Sequence, residues 1–139
     1  MQPNKHRTWA EIDLGAIEHN YRVICEAAKA PVLCVVKADC YGHGAVPVAN
    51  RLQSMGAPYF AVATVPEAVE LRENGIEKPI IILGYIDAAD MDTVAEYGIT
   101  APVYDEETAE LLSAAAVRTG RDITVHYKLD TGMTRIGFP

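Results

Sequence analysis

Residues 31–45 read PVLCVVKADCYGHGA. An apolar run, Val32 to Val36, drives into Lys37, and a turn punctuated by Gly42 and Gly44 follows. A continuous apolar run rich in β-branched residues and closed by a turn is the pattern of a strand covered on both faces, as in a parallel sheet. Parallel strands need crossovers, and the sequence supplies them. Further runs of this kind are YFAVATV (59–65), PIIILGYI (79–86), ITAPVYD (99–105) and ITVHYKLD (123–130). Amphipathic stretches lie between them at 45–55, 66–74, 88–97 and 106–119, and another, 14–28, precedes the first strand behind an extended piece, WAEIDL. Asp105 stands as an N-cap, and Gly75, Gly98 and Gly120 as C-terminal stops.

Strand starts near 32, 59, 80, 99 and 123 are 27, 21, 19 and 24 residues apart, the spacing of successive βα units. Two architectures fit: an open doubly wound sheet, or the first part of an eight-stranded (β/α)8 TIM barrel, which runs to about 250 residues. The last strand leads into a loop with no helix after it, which favours the barrel. The expectation is an α/β fold, a partial (β/α)8 barrel of about the first five βα units.

With 139 residues the chain is the size of one domain, and 22% charged against 50% hydrophobic residues is a globular balance. A net charge of −7 with no basic cluster argues against nucleic acid or an anionic membrane surface as partner. No apolar run is long enough to span a membrane, and the N-terminal MQPNKHRTWAEIDL has no apolar signal core. Cys25, Cys34 and Cys40 form no C-x-x-C pair, and Cys34 reads as core filler in a reducing compartment, so a cytoplasmic location is expected.

Both architectures put chemistry at the C-terminal strand ends, where Lys37, Asp130 and the TGMTR loop fall. Lys37 is either a lysine whose head reaches water past the strand end or a desolvated amine able to attack a carbonyl. Tyr41 offers a phenol to a phosphate. GHGAVP lacks the third glycine of a dinucleotide fingerprint, and His43 reads as a turn residue, with no metal site implied. In ITVHYKLDTG the apolar residues Ile123, Val125, Tyr127 and Leu129 alternate with Thr124, His126, Lys128 and Asp130. This is either an edge strand with a solvated polar face or a barrel strand whose apolar face meets helices and whose polar face points inward. In the second case His126, Lys128 and Asp130, with Arg135 nearby, need internal charge compensation.

VVKADCYGHG together with HYKLDTGMTRIGF resembles the alanine racemases, enzymes dependent on pyridoxal 5'-phosphate, and TWAEIDLGAIEHNYR, FAVATVPEAVELRENGI and PIIILGY are similar to further segments of that family. The resemblance implies that Lys37 binds the cofactor's aldehyde covalently and is the base on the D-alanine face. It implies that Tyr41 touches the cofactor phosphate, and that Arg135 contacts its phenolic oxygen and helps position substrate. Lys128 matches a lysine carboxylated by CO2 in many members, whose anion holds that arginine, with His126 behind it. A lysine there also leans toward alanine over broader specificity. Cys40 stands where alanine is usual and Thr134 where glycine is usual.

Members of the family are homodimers in which a tyrosine from the partner's C-terminal β domain serves the L-alanine face. On the resemblance, residues 1–139 are the N-terminal portion of one barrel domain, the β domain is absent, and the chain alone is inactive. The family's role is D-alanine supply for peptidoglycan. Two rivals remain: a serine racemase of the same family, which would carry membrane helices upstream and against which Met1 directly before a soluble N-terminus speaks, and a non-catalytic flavodoxin-like domain binding a phosphate ligand or a partner.

Overall fold

The computed structural model describes residues 8–139; the basic stretch before Thr8, with its reading as lacking a signal core, lies outside them. Twelve short elements follow one another: α1 (Leu14–Ala28), β1 (Leu33–Val35), α2 (Lys37–Gly42), α3 (Ala45–Ser54), β2 (Tyr59–Val62), α4 (Val65–Glu73), β3 (Ile80–Ile82), a 3-10 turn (Ala88–Asp90), α5 (Met91–Glu96), β4 (Ala101–Val103), α6 (Glu106–Thr119) and β5 (Val125–Tyr127). The WAEIDL stretch is irregular coil up to Asp13, whose carboxylate caps α1 by accepting the Gly15 and Ala16 N–H groups at 2.8 and 3.1 Å.

Every pairing is parallel, with β1 on β2, β2 on β3 and β4 on β5. A bridge between Ile81 and Thr100 joins the two sheets. Strand order therefore follows chain order, without the reversal that makes a doubly wound sheet's switch point. With right-handed crossovers, such an order lays successive helices along one face. Each ladder pairs three residues, fewer than the apolar runs offer.

The core lies between β2, β3 and the helices. Phe60, Leu71, Ile76, Ile80, Ile82, Ile86, Met91 and Val94 are buried, each worth about 1.5–3 kcal/mol of transfer free energy. Cys34 is part of this core, and all three cysteines are free. At the strands' N-terminal end Arg72 gives its N–H groups to the carbonyls of Tyr97, Ile76, Lys78 and Gly98 at 2.6–3.1 Å. At α6, Asp105 accepts the Thr108 N–H at 2.7 Å, and Gly120 ends the helix at φ 64°.

Pro102 sits inside β4 and has no N–H to give β3, so pairing between those strands stops at Thr100. The carbonyl this leaves, that of Ile82, is met by the His126 ring, with Nε2 3.1 Å away. A carbonyl only accepts, so Nε2 carries the proton. His126 pairs with Pro102 in the β4–β5 register, and its ring reaches past the proline to close the gap. On this side of β5, His126, Lys128 and Asp130 are half-buried and Thr124 is exposed. The other side departs from expectation: Val125, Tyr127 and Leu129 are exposed and not covered by helices. Among the described residues α6 lies before β5 and no helix follows it; on that face Tyr127 meets only the Phe138 ring, centroids 6.4 Å apart, as an aromatic neighbour. Among the described residues, β1 pairs only with β2 and β5 only with β4, leaving both outer edges open.

Candidate active site

Parallel strands deliver all their C-terminal ends to one rim, and Lys37 leaves β1 there. The residues after it are not the ordinary loop the glycine punctuation implied. Ala38, Asp39, Cys40 and Tyr41 all hold left-handed helical angles, φ 51–55° and ψ 36–52°. None is glycine, and left-handed backbone costs an L-residue roughly 1–2 kcal/mol, so α2 stores on the order of 4–8 kcal/mol of strain. Such a turn persists only where its surroundings over-determine it.

The restraints are visible. The Cys40 N–H donates to the Val36 carbonyl and the Gly44 N–H to the Asp39 carbonyl, both at 2.9 Å. Asp39 Oδ1 accepts the Ala45 N–H at 2.7 Å, capping α3 where Gly44 has no side chain to do so. His43 is a turn residue as read, its Nδ1 2.9 Å from the Cys40 carbonyl. From the next βα unit, Glu67 accepts the Ala38 N–H on Oε1 at 2.8 Å and the Ala63 N–H on Oε2 at 2.7 Å. Beside it Gly84 is obligatory, since a Cβ there would stand 2.4 Å from the Ala63 carbonyl oxygen.

Across the rim, β5 runs into a closed loop. The Phe138 N–H donates to the Lys128 carbonyl and the Asp130 N–H to the Phe138 carbonyl, at 2.9 and 2.7 Å. Inside it Asp130 Oδ1 accepts the Gly132 and Thr134 N–H groups, each at 2.9 Å. Those donors, Thr134 first, hold the Asp130 carboxyl below its ordinary pKa. Thr134 is itself left-handed, at φ 55°, which gives a physical reason for glycine to be the usual residue there. Arg135 follows, exposed. Between the two sides stand Tyr85 and Tyr104, leaving β3 and β4 with ring centroids 5.9 Å apart.

Behind β1 the thiols converge on Tyr21. Burial, then a hydrogen bond with Cys25, pushes the Tyr21 phenol up to about 12. Burial, then Cys25 and Cys40, pushes the Cys34 thiol up to about 11. These are protonated, unreactive groups at neutral pH, in keeping with core filling.

Lys37, Tyr41, Lys128 and Arg135 all lie at the strands' C-terminal end, on the β1 and β5 sides. Among the described residues none of their side chains takes part in a hydrogen bond or ion pair, including the expected one between Lys128 and Arg135. Also among the described residues, no group of three or more His, Cys, Asp or Glu stands ready for a metal ion, and no helix is long and apolar enough to cross a membrane. Sequence reasoning missed Glu67, although T-V-P-E (64–67) has the spacing of a capping box. In place of the Thr64 N–H that such a box uses, Glu67 takes the amides of Ala63 and Ala38.

Residues 12–139 match the family described as "Alanine racemase, N-terminal domain". The alanine racemase of Desulfovibrio desulfuricans is 48% identical over 131 residues, covering 93% of this chain and 35% of the relative. The solved alanine racemase of Clostridium difficile 630 is 42% identical and superposes with a TM-score of 0.93 over 98% of this chain and 36% of that one. The histidine racemase of Leuconostoc mesenteroides subsp. sake also superposes, with a TM-score of 0.85 at 32% identity, over 92% of this chain and 35% of its own. The chain spans about a third of the length of the curated relatives it matches. A sequence match over nearly the whole chain, and a backbone match carrying the same parallel rim, lead to one conclusion: the chain belongs to the alanine racemase family.

Proposed function

We propose that this chain is the N-terminal part of a racemase that interconverts L- and D-alanine with pyridoxal 5'-phosphate, its five strands being the first of an eight-stranded barrel. The observation that carries the reading is the setting of Lys37: an amine at a strand exit, followed by a strained turn that the fold holds in place. The donor set fits the cofactor, offering an amine for its aldehyde, the Tyr41 phenol for its phosphate and the Arg135 guanidinium for its phenolate oxygen. None of these is used within the chain among the described residues. When bound, the cofactor supplies the electron sink that makes an α-proton of the amino acid removable.

The chain's own part is placement and proton transfer. Lys37 Nζ takes and returns the α-proton on the D-alanine face. Arg135 orients the substrate carboxylate, and Lys128, carrying a carbamate, offsets the guanidinium charge, with His126 fixing β5 behind it. The L-alanine face requires a second base, which we assign to a tyrosine of a partner subunit in a homodimer. By itself the chain is then a poor racemase. Alanine as substrate follows the names of relatives at 41–48% identity, and D-alanine for peptidoglycan, made in the cytoplasm, is the role that goes with it.

The test is α-proton exchange into deuterium oxide, followed by proton NMR with the cofactor added. D-alanine is expected to exchange ahead of L-alanine, and Lys37→Ala to lose that exchange. Equal exchange by the Lys37→Ala chain would overturn the assignment of proton transfer to Lys37.

A further inference from the structure

The carboxylate of Glu67 has an unusual pair of partners. It belongs to the first turn of α4, yet one oxygen holds the amide of Ala63 at the end of β2 and the other holds the amide of Ala38, 29 residues earlier. That second amide belongs to the peptide bond directly after Lys37. It also opens the left-handed turn, since Ala38 is the first of the turn's four residues, Ala38 to Tyr41, with positive φ. The other bonds that shape the turn, from Cys40 to Val36, Gly44 to Asp39 and Ala45 to Asp39, all stay within the loop. They give the loop its form, and the Val36 N–H, donating to the Ala61 carbonyl of β2 at 2.9 Å, fixes the chain just before Lys37. Glu67 ties the start of the turn to a different strand. Its neighbourhood is also closely packed: Ala63, the second partner, has its carbonyl against Gly84 with no room for a Cβ, so that end of the clamp is anchored.

We propose that Glu67 is a positioning residue for Lys37: by bridging the Ala38 and Ala63 amides it holds the Lys37–Ala38 peptide in register with β2 and so aims the lysine amine across the rim. The proposal rests on the reading of Lys37 as the cofactor-binding lysine. Two acceptor oxygens are needed for two donors. A glutamine offers only one, and its NH2 group must face the other N–H.

The experiment compares the chain with its Glu67→Gln and Glu67→Asp variants. Glu67→Asp keeps the charge at the helix N-terminus but is too short for both amides, so it serves if Glu67→Gln fails to fold. Three readouts are taken: amide hydrogen exchange at Ala38, competitive labelling of Lys37 against Lys78 by an amine-reactive ester, and attachment of pyridoxal 5'-phosphate to Lys37 after borohydride reduction. In the variants the Ala38 amide is expected to exchange about tenfold faster, the Lys37:Lys78 labelling ratio to change at least threefold, and attachment at Lys37 to fall about tenfold, with the unfolding midpoint little changed. A loss of fold alone would move all lysines together and leave that ratio near the value for free lysine. Unchanged protection of Ala38, or an unchanged Lys37:Lys78 ratio with Ala38 deprotected, would overturn the clamp. If the parent chain takes no cofactor at Lys37, the reading of Lys37 fails, while the exchange and ester readouts still decide the role of Glu67.

Discussion

At Thr134 a β-branched side chain sits at φ 55°, where glycine pays no steric cost. Thr134→Gly is therefore expected to stabilise the chain by about 1 kcal/mol, read as a higher urea midpoint. The Asp130 carboxylate nearby has its pKa lowered by the Thr134 and Gly132 N–H groups. A depressed folded pKa means that its support for the loop is present above the unfolded pKa and lost as pH falls through the folded one. Amide exchange at Gly132 and Thr134 should therefore stay slow at neutral pH and rise only below the usual carboxylate range; Asp130→Asn should weaken protection at neutral pH. Neither residue's conformation was legible beforehand. Thr134 and the run from Ala38 to Tyr41 have side chains that favour ordinary backbone angles, so local propensity points away from what the tertiary bonds impose. Lys37 was legible because its charge interrupts an apolar run.

Between elements, the gap that Pro102 opens and His126 closes gives a further expectation. His126→Leu removes the donor to the Ile82 carbonyl and should cost about 1–3 kcal/mol, measured by urea unfolding, with His126→Gln recovering part of it. A loss below about 0.5 kcal/mol would mean that the bond contributes nothing net. Gly137→Ala tests the loop after β5: its Cβ would stand 2.8–3.0 Å from backbone atoms of Lys128, Leu129 and Asp130, at φ 131°. Opening of the Lys128–Phe138 pairing should appear as fast exchange at the Asp130 and Phe138 amides. The order and kind of the elements could be read from apolar periodicity and caps, and Asp105 and Gly120 stand where the sequence put them. The His126 bond could not, because it depends on a missing N–H one strand away and on the β4–β5 register.

Over the whole molecule, burial of Cys34 couples stability to alkaline pH. Its thiol is pushed up to about 11. A raised folded pKa means that the contribution is complete below the unfolded value, about 9, and is lost as pH climbs through the folded one. Between those values the chain should lose on the order of 2–3 kcal/mol, a slope that Cys34→Ala removes when the two unfolding curves are compared. Parallel pairing was foreshadowed by the 19–27-residue spacing of strand starts, but strand order was not, since that spacing suits a doubly wound sheet as well as a barrel. What the apolar alternation of β5 could not say is which chain covers its outer face, since alternation fixes parity and not partner.

The central claim is that the rim presents Lys37 to pyridoxal 5'-phosphate. The direct measurement is to add the cofactor to the chain, reduce with borohydride and locate the label by peptide mass mapping, with Lys37→Ala as control. Attachment confined to Lys37, with Lys29, Lys78 and Lys128 unlabelled, is the result expected. Labelling spread over the lysines, or none, would contradict the claim.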